Sequence, residues 1–355
     1  MSAIIETQGL IKRYGDVTAL AGIDLVVQPG EIFGFLGPNG AGKSTAIKIL
    51  STLLKPTAGR ATLAGFDVAS QPGKVRQSIG MVFQDPSLDN RLTAEENLQF
   101  HAMLYHVPRS VRQDRIARVL TMVDLLDRRK DLVSIFSGGM KRRLEIARGL
   151  LHEPQVLFLD EPTVGLDPQT RAAIWEHVRR LRSESGVTVF MTTHYMDEAE
   201  NCDRIAVIDH GKLQALDTPE ALKRSLGGET VIITGDAALQ GDIAERYGVP
   251  VQASEGTVHF QMADAAQFVP RVVADFPGRI TAISVKQPNL DDVFMHLTGR
   301  EIRAEEATPL DRMRMIAKRH CPGSTPENRG ADGFAWTVPL ESLLRTIFPQ
   351  RRRVV

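Results

Sequence analysis

The stretch GPNGAGKST, residues 37–45, decides the fold. It reads G-x-x-x-x-G-K-S from Gly37 to Ser44, between the apolar run IFGFL and the run AIKILSTLL. Glycines let a backbone turn tightly and aim successive N–H groups into one concavity. Ile47, Leu50, Leu53 and Leu54 fall at helical spacing, so the loop is expected to join a buried strand to a helix start. That start favours an anion, through its free N–H groups and the helix dipole. Gly37, Pro38, Asn39, Gly40, Ala41, Gly42, Lys43, Ser44 and Thr45 are therefore the candidate phosphate cradle of a nucleoside triphosphate. Lys43 brings an ammonium for the outer phosphates, and Ser44 a hydroxyl for Mg²⁺.

Working outward, QVLFLDEP and GVTVFMTTH are also apolar runs that end in polar residues. They read as buried parallel strands whose C-terminal ends carry function. Strands and helices are expected to alternate from the start to about residue 220, an α/β pattern. Asp167–Pro168 marks a helix start with proline in its first turn. Thr93 and Glu96 have the spacing of a capping box. At SLGGET, residues 225–230, two glycines suggest a linker. TVIITG, GTVHFQM and RITAISV then read as strands, with QFVPRVVADF helical between the last two. In NLDDVFMHLTG, Asn289 is a helix cap, Asp292 complements the dipole and Gly299 ends the helix. The expected organisation is 1–225, an α/β nucleotide-binding domain; 226–300, a small α+β domain; and 301–355, a loosely ordered tail. Within the tail, LESLLRTIF puts Leu340, Leu343, Leu344, Ile347 and Phe348 on one helical face.

Composition excludes several classes. The 355 residues carry 43 Lys plus Arg and 43 Asp plus Glu, so formal charge is zero and no nucleic-acid partner is expected. Two cysteines, Cys202 and Cys321, lie far apart without metal-ligand spacing, which suits a reducing compartment. Neither a signal peptide nor an apolar run of bilayer length is present in the sequence. A soluble chain is expected, reaching a membrane only through a partner.

Two further stretches narrow the chemistry. VLFLDEP ends in Asp160, a candidate Mg²⁺ holder, and Glu161, a candidate for orienting and polarising an attacking water. FSGGMKRR, residues 136–143, opens a helix with a serine, two glycines and basic residues: a second anion-binding N-terminus. A serine cap alone would explain Ser137 but not Gly138 and Gly139. One nucleotide already has its phosphates held by the first loop. The second site therefore calls for another nucleotide, or the same one approached from a second copy.

With these motifs in this order, residues 4–220 resemble the ATP-binding cassette (ABC) ATPases. The resemblance implies a P-loop domain with a helical subdomain, ATP and Mg²⁺ as ligands, and a head-to-tail homodimer with ATP between the copies. Ser137 and Gly139 would then meet the γ-phosphate in trans, with Gly138 in the same nucleotide-binding set. Tyr14 matches the residue that stacks on adenine, and Gln84 the one that touches Mg²⁺ and water. Asp167 matches the aspartate that crosses the dimer interface, and His194 the histidine that bonds the γ-phosphate. Glu161, His194, Gln84 and Lys43 form the implied catalytic set, and Ser44, Gln84 and Asp160 the implied metal set. Phe136 and Met140 depart from the usual Leu-Ser-Gly-Gly-Gln signature. Met140 lacks a hydrogen-bonding amide, so weaker trans contacts are expected.

The C-terminal NLDDVFMHLTGRE is similar to the ATPase subunits of bacterial drug and lipid exporters of the daunorubicin-resistance type. That similarity implies an ABC-2-type membrane permease partner, with SLDNRLTAEENL at the position that receives it. It also implies a peripheral location at the cytoplasmic membrane face. An importer ATPase, and a soluble member acting on ribosomes or DNA, are the competing classes. The single phosphate loop and the lack of a coiled-coil insertion between residues 45 and 137 count against the soluble class.

Overall fold

The run IFGFL forms β3 (Ile32–Leu36), buried along its whole length. In this computed structural model residues 2–299 are described, apart from 86, 237, 255, 256, 263 and 264. Around β3 lie β6 (Ile79–Val82), β7 (Val156–Asp160), β8 (Thr188–Thr193), β9 (Arg204–Asp209) and β10 (Lys212–Asp217). Their order in the six-stranded sheet is β10–β9–β3–β8–β7–β6. All neighbours are parallel except β10, which pairs antiparallel with β9. Register places Leu36 beside Thr193 and Asp160 beside Thr192, so these strands end at one level.

Strand residues alternate between two cores, as a pleat requires. Val156 and Phe158 face one, with Phe33, Phe35 and Phe190; the Phe158 and Phe190 ring centres lie 5.3 Å apart. Leu157 and Leu159 face the other, with Val189 and Met191. That second core is covered by α3 (Ala94–Leu104), α4 (Arg109–Met122), α5 (Gly138–Leu150) and α6 (Pro168–Ser185). Asp167 caps α6 and Thr93 caps α3 in a full capping box, as their spacing predicts.

The start of the chain departs from the expected alternation. β1 (Ile5–Tyr14) and β2 (Val17–Val27) are an antiparallel hairpin, joined by β4 (Ala58–Leu63) and β5 (Phe66–Asp67) in a second sheet. β2 buries Leu20, Ile23, Leu25 and Val27 while Asp24 and Val26 are exposed, so it suits a sheet covered on one side. α1 (Lys43–Leu50) is also shorter than expected. Thr52 turns left-handed at φ 66°, and Leu53 is 58% exposed. α2 (Pro72–Ser78), α7 (Met196–Ala199) and α8 (Pro219–Arg224) complete this region.

Past Gly227 and Gly228 lies a third, antiparallel sheet of order β12–β13–β11–β14. Its strands are β11 (Glu229–Gly235), β12 (Gln252–Ser254), β13 (Thr257–Met262) and β14 (Ile280–Lys286). With α9 (Leu239–Tyr247) and α10 (Ala265–Asp275) it encloses its own core of Val231, Ile233, Phe260, Phe268 and Val272. α11 (Leu290–Thr298) has the expected Asn289 cap and Gly299 end, and Asp292 goes beyond its expected dipole role by closing a capping box with Asn289. Its apolar face does not join that core. Leu290, Val293 and Phe294 pack against α7, α8 and β10, in the core of the nucleotide-binding region. An i, i+3, i+4 face says that a helix is buried, not what buries it. The LESLLRTIF helix reading lies outside the described residues.

Candidate functional site

The phosphate loop leaves β3 and enters α1 through Gly42, whose φ is 112°. A Cβ there would also stand 2.6 Å from the Ala19 carbonyl oxygen, so only glycine fits. No side chain caps α1, which leaves its first N–H groups open to an anion. Lys43 is folded back into the loop and 4% exposed. Its Nζ donates to Gly37 O at 2.7 Å and Pro38 O at 3.2 Å, and lies 3.2 Å from Glu161 Oε1. Burial pulls the Lys43 pKa down, and the charge of Glu161 offsets this only in part. Pro38, Ser44 and Thr45 are half-buried, Asn39 and Gly40 exposed, and Ala41 buried.

The neighbouring strand ends bring the acids to this loop. Thr193 O accepts from Gly37 N at 3.2 Å, tying β8 to the cradle. Thr192 Oγ1 donates to Asp160 Oδ1 at 2.6 Å and accepts from Glu161 N at 3.1 Å. Glu161 is in the left-handed region, at φ 47°, which aims its side chain back at Lys43. His194 Nδ1 lies 3.4 Å from the same Glu161 oxygen. Burial pushes the Glu161 carboxyl up, but His194 and Lys43 together outweigh it and hold the pKa below the usual range. Lys43, Asp160, Glu161 and His194 thus form one cluster. Gln84 is exposed two residues past β6, whose last residue, Val82, pairs with Leu159 of β7. Tyr14, 47% exposed at the end of the hairpin, has Lys12 Nζ 5.1 Å above its ring.

Ser137 caps α5, its Oγ accepting from Met140 N at 3.2 Å. A Cβ on Gly139 would stand 2.4 Å from Thr170 Cγ2, so the glycine permits close approach of α5 and α6. Phe136 is 5% exposed and anchors the turn in the helical core, where half-buried Met140 also packs. Asp167 accepts from Thr170 N at 2.9 Å and Thr170 Oγ1 at 2.6 Å. Those bonds hold its carboxyl below the ordinary value. Ser137, Gly138 and Asp167 are exposed. Among the described residues, no hydrogen bond or ion pair joins any of them to the phosphate loop.

The sequence did not reveal two buried groups here. Arg142, within the basic run after the glycines, turns inward rather than toward an anion; helical spacing from Ile146 and Leu150 is the signal for it. Glu198 is buried and accepts from the hydroxyls of Thr163 and Thr193, joining the segment after Glu161 to the strand end before His194. Burial pushes its pKa from 4.5 to about 7, with the Thr193 bond pulling the other way. A raised folded-state pKa means that the folded chain holds this proton more tightly than the unfolded one. Its contribution to stability therefore falls as pH rises from about 4.5 to about 7. Glu198→Gln should flatten this part of the stability curve. Thermal unfolding of both proteins at the two ends of the window checks it; equal slopes would refute it.

Known proteins resemble this chain in sequence and in fold. Residues 20–164 match the ABC transporter family model. The daunorubicin resistance ATP-binding protein DrrA2 of Streptomyces coeruleorubidus is 40% identical over 322 residues, covering 85% of this chain and 97% of that protein. This chain belongs to the ABC transporter ATP-binding subunits. The linearmycin resistance ATP-binding protein LnrL of Bacillus subtilis (strain 168) is 39% identical, covering 84% of this chain and all of the relative. Among solved structures, the dimeric ATP-binding cassette MJ0796 bound to ADP and Pi superposes with a TM-score of 0.54 at 29% identity. That match covers 60% of this chain and 98% of the cassette. The ABC subunit is an ATPase of the drug-exporter type, and cassettes of this family work as dimers with membrane permeases. Among its described residues, no helix is long and apolar enough to cross a membrane.

Proposed function

We propose that this subunit powers an ABC-2-type permease from the cytoplasmic membrane face, exporting a drug-like or lipid-like cargo. One observation carries the mechanism: Glu161 Oε1 sits 3.2 Å from Lys43 Nζ and 3.4 Å from His194 Nδ1, at the mouth of an uncapped helix start. The uncapped N-terminus and the glycine cradle fit a triphosphate, and Ser44 with Asp160 and Gln84 supplies hard oxygen donors that fit Mg²⁺. Mg²⁺ bound there would neutralise phosphate charge.

Each residue then has a task. Lys43 leaves the loop carbonyls for the phosphates. Glu161 orients the attacking water and takes its proton, while His194 steadies the γ-phosphate. Tyr14 supports adenine. Ser137 and Gly138, exposed, and half-buried Gly139, all apart from their own phosphate loop, complete the site of a second copy, with Asp167 crossing between the copies. ATP so held adds a bond across the dimer, and hydrolysis removes it. A ligand shifts an equilibrium only by its differential affinity, and ATP has it by touching both copies. We take residues 1–225 as the nucleotide-binding domain and 226–300 as an appended α+β domain. The cargo class follows the two resistance proteins named above.

The partner is tested by affinity purification of the full chain from detergent-solubilised membranes, followed by mass spectrometry. A polytopic ABC-2-type permease without its own cassette should copurify. Recovery with a binding-protein-dependent importer, or with ribosomes, would overturn the export reading.

A further inference from the structure

Arg142 and Glu145 lie one turn apart on α5, and both are buried. Arg142 Nε donates to Pro162 O at 2.6 Å, and Nη2 to Asp160 O and Glu161 O, each at 3.2 Å. Its Nη1 donates to Phe83 O and meets Glu145 Oε2 at 3.2 Å. Glu145 Oε1 accepts from Ser87 N at 2.8 Å. One ion pair therefore joins three pieces of chain: the strand end with Asp160 and Glu161, the helix that Ser137 opens, and Phe83 and Ser87 on either side of Gln84.

A buried ion pair is a poor way to gain stability, because desolvation offsets the attraction. What the guanidinium offers is geometry. Its flat fork reaches several carbonyls at once, which an ammonium cannot do. Those carbonyls flank Glu161, whose left-handed backbone is disfavoured for a residue with a Cβ and must be held from outside.

We propose that Arg142, held by Glu145, is a positioning residue for Glu161: it fixes the strained backbone at 160–162 and ties it to the chain around Gln84, at Phe83 and Ser87, and to α5. Displacing either of those elements, the one facing the permease or the one facing the partner copy, then displaces the carboxylate that orients water. The proposal rests on Glu161 acting on water, as argued under the function above.

The test uses the purified full chain, measuring kcat, KM, equilibrium ATP binding and Tm. Four variants are compared: Glu161→Gln, Arg142→Lys, Glu145→Gln, and Arg142→Gln combined with Glu145→Gln. Arg142→Lys keeps the charge and loses the fork. It should lower kcat by about 10- to 100-fold, the usual cost of a misplaced reacting group. KM and ATP affinity should change by no more than roughly threefold, since ground-state binding is not what is lost. The double variant removes both charges of the Arg142–Glu145 pair, and Arg148, 4.0 Å from Glu145, keeps its bonds to Ser87. Its Tm should recover relative to Glu145→Gln, while its kcat should stay low.

Recovery of kcat together with Tm in the double variant would make the pair a strut and overturn the proposal. So would an Arg142→Lys protein that fails to fold, or one whose loss lies in KM. Wild-type turnover by Glu161→Gln is a separate failure, that of the Glu161 assignment itself.

Discussion

Glu161→Gln will bind ATP and hold its dimer while hydrolysing about 10²–10⁴-fold more slowly, the weight of a positioned base. The substitution changes little in shape. An amide fits the space between Lys43 and His194, and its oxygen can still accept from the Lys43 ammonium. What disappears is the negative charge and the capacity to take a proton. The pKa directions explain how the native residue is readied. With Lys43 at 3.2 Å and His194 at 3.4 Å, the carboxyl is held low and ionised, which makes it a weak base. When Lys43 turns to a phosphate, part of that restraint goes and burial raises the pKa toward a useful range. The variant also removes a carboxylate that would repel the γ-phosphate, so its ATP-bound dimer should outlast the native one. Phosphate release, and light scattering with ATP and Mg²⁺, measure the two effects. Near-native turnover would remove Glu161 from its role, and a variant monomeric at saturating ATP would remove the dimer bond.

This cluster was legible because its residues end apolar runs. A buried parallel strand has nowhere to put a charge except at its end, so LDEP and TTH announce Asp160, Glu161 and His194 one after another. Caps were equally readable, since Thr93 and Asn289 act within a turn of their own position. Long-range partners were not. Arg142 looks like one more basic residue after the glycines, and its inward turn depends on carbonyls that lie about 20 positions away in sequence. Glu198 hides for the same reason, since its threonine partner Thr163 comes from a different strand end. The apolar face of α11 showed that the helix is buried, but its packing against α7 and α8 is a tertiary choice. The hairpin at the start was obscured by its irregular pairing. Register shifts along β1 break the two-residue period by which such strands are read.

Lys43→Ala should cost more than a phosphate contact. A charge-assisted hydrogen bond is worth about 1.5–3 kcal/mol, which alone would weaken ATP binding about 10- to 100-fold. In this protein the ammonium also neutralises Glu161, a carboxylate 9% exposed. Removing it leaves that charge buried beside the phosphate site, so the empty protein should lose stability and ATP should meet repulsion. Breaking one side of a buried pair costs about 3–5 kcal/mol, the upper limit here because His194 still faces the carboxylate. A double-mutant cycle with Glu161→Gln separates the two losses. Adding Glu161→Gln to Lys43→Ala should restore most of the thermal stability, because position 161 no longer carries an unpaired charge. It should also recover the part of ATP affinity lost to repulsion, but not the part lost with the ammonium, and no turnover. If the double variant regained full ATP affinity, Lys43 would be a counter-ion for Glu161 and not a phosphate ligand. If the two mutations added without coupling in Tm, the ion pair would not govern the empty site.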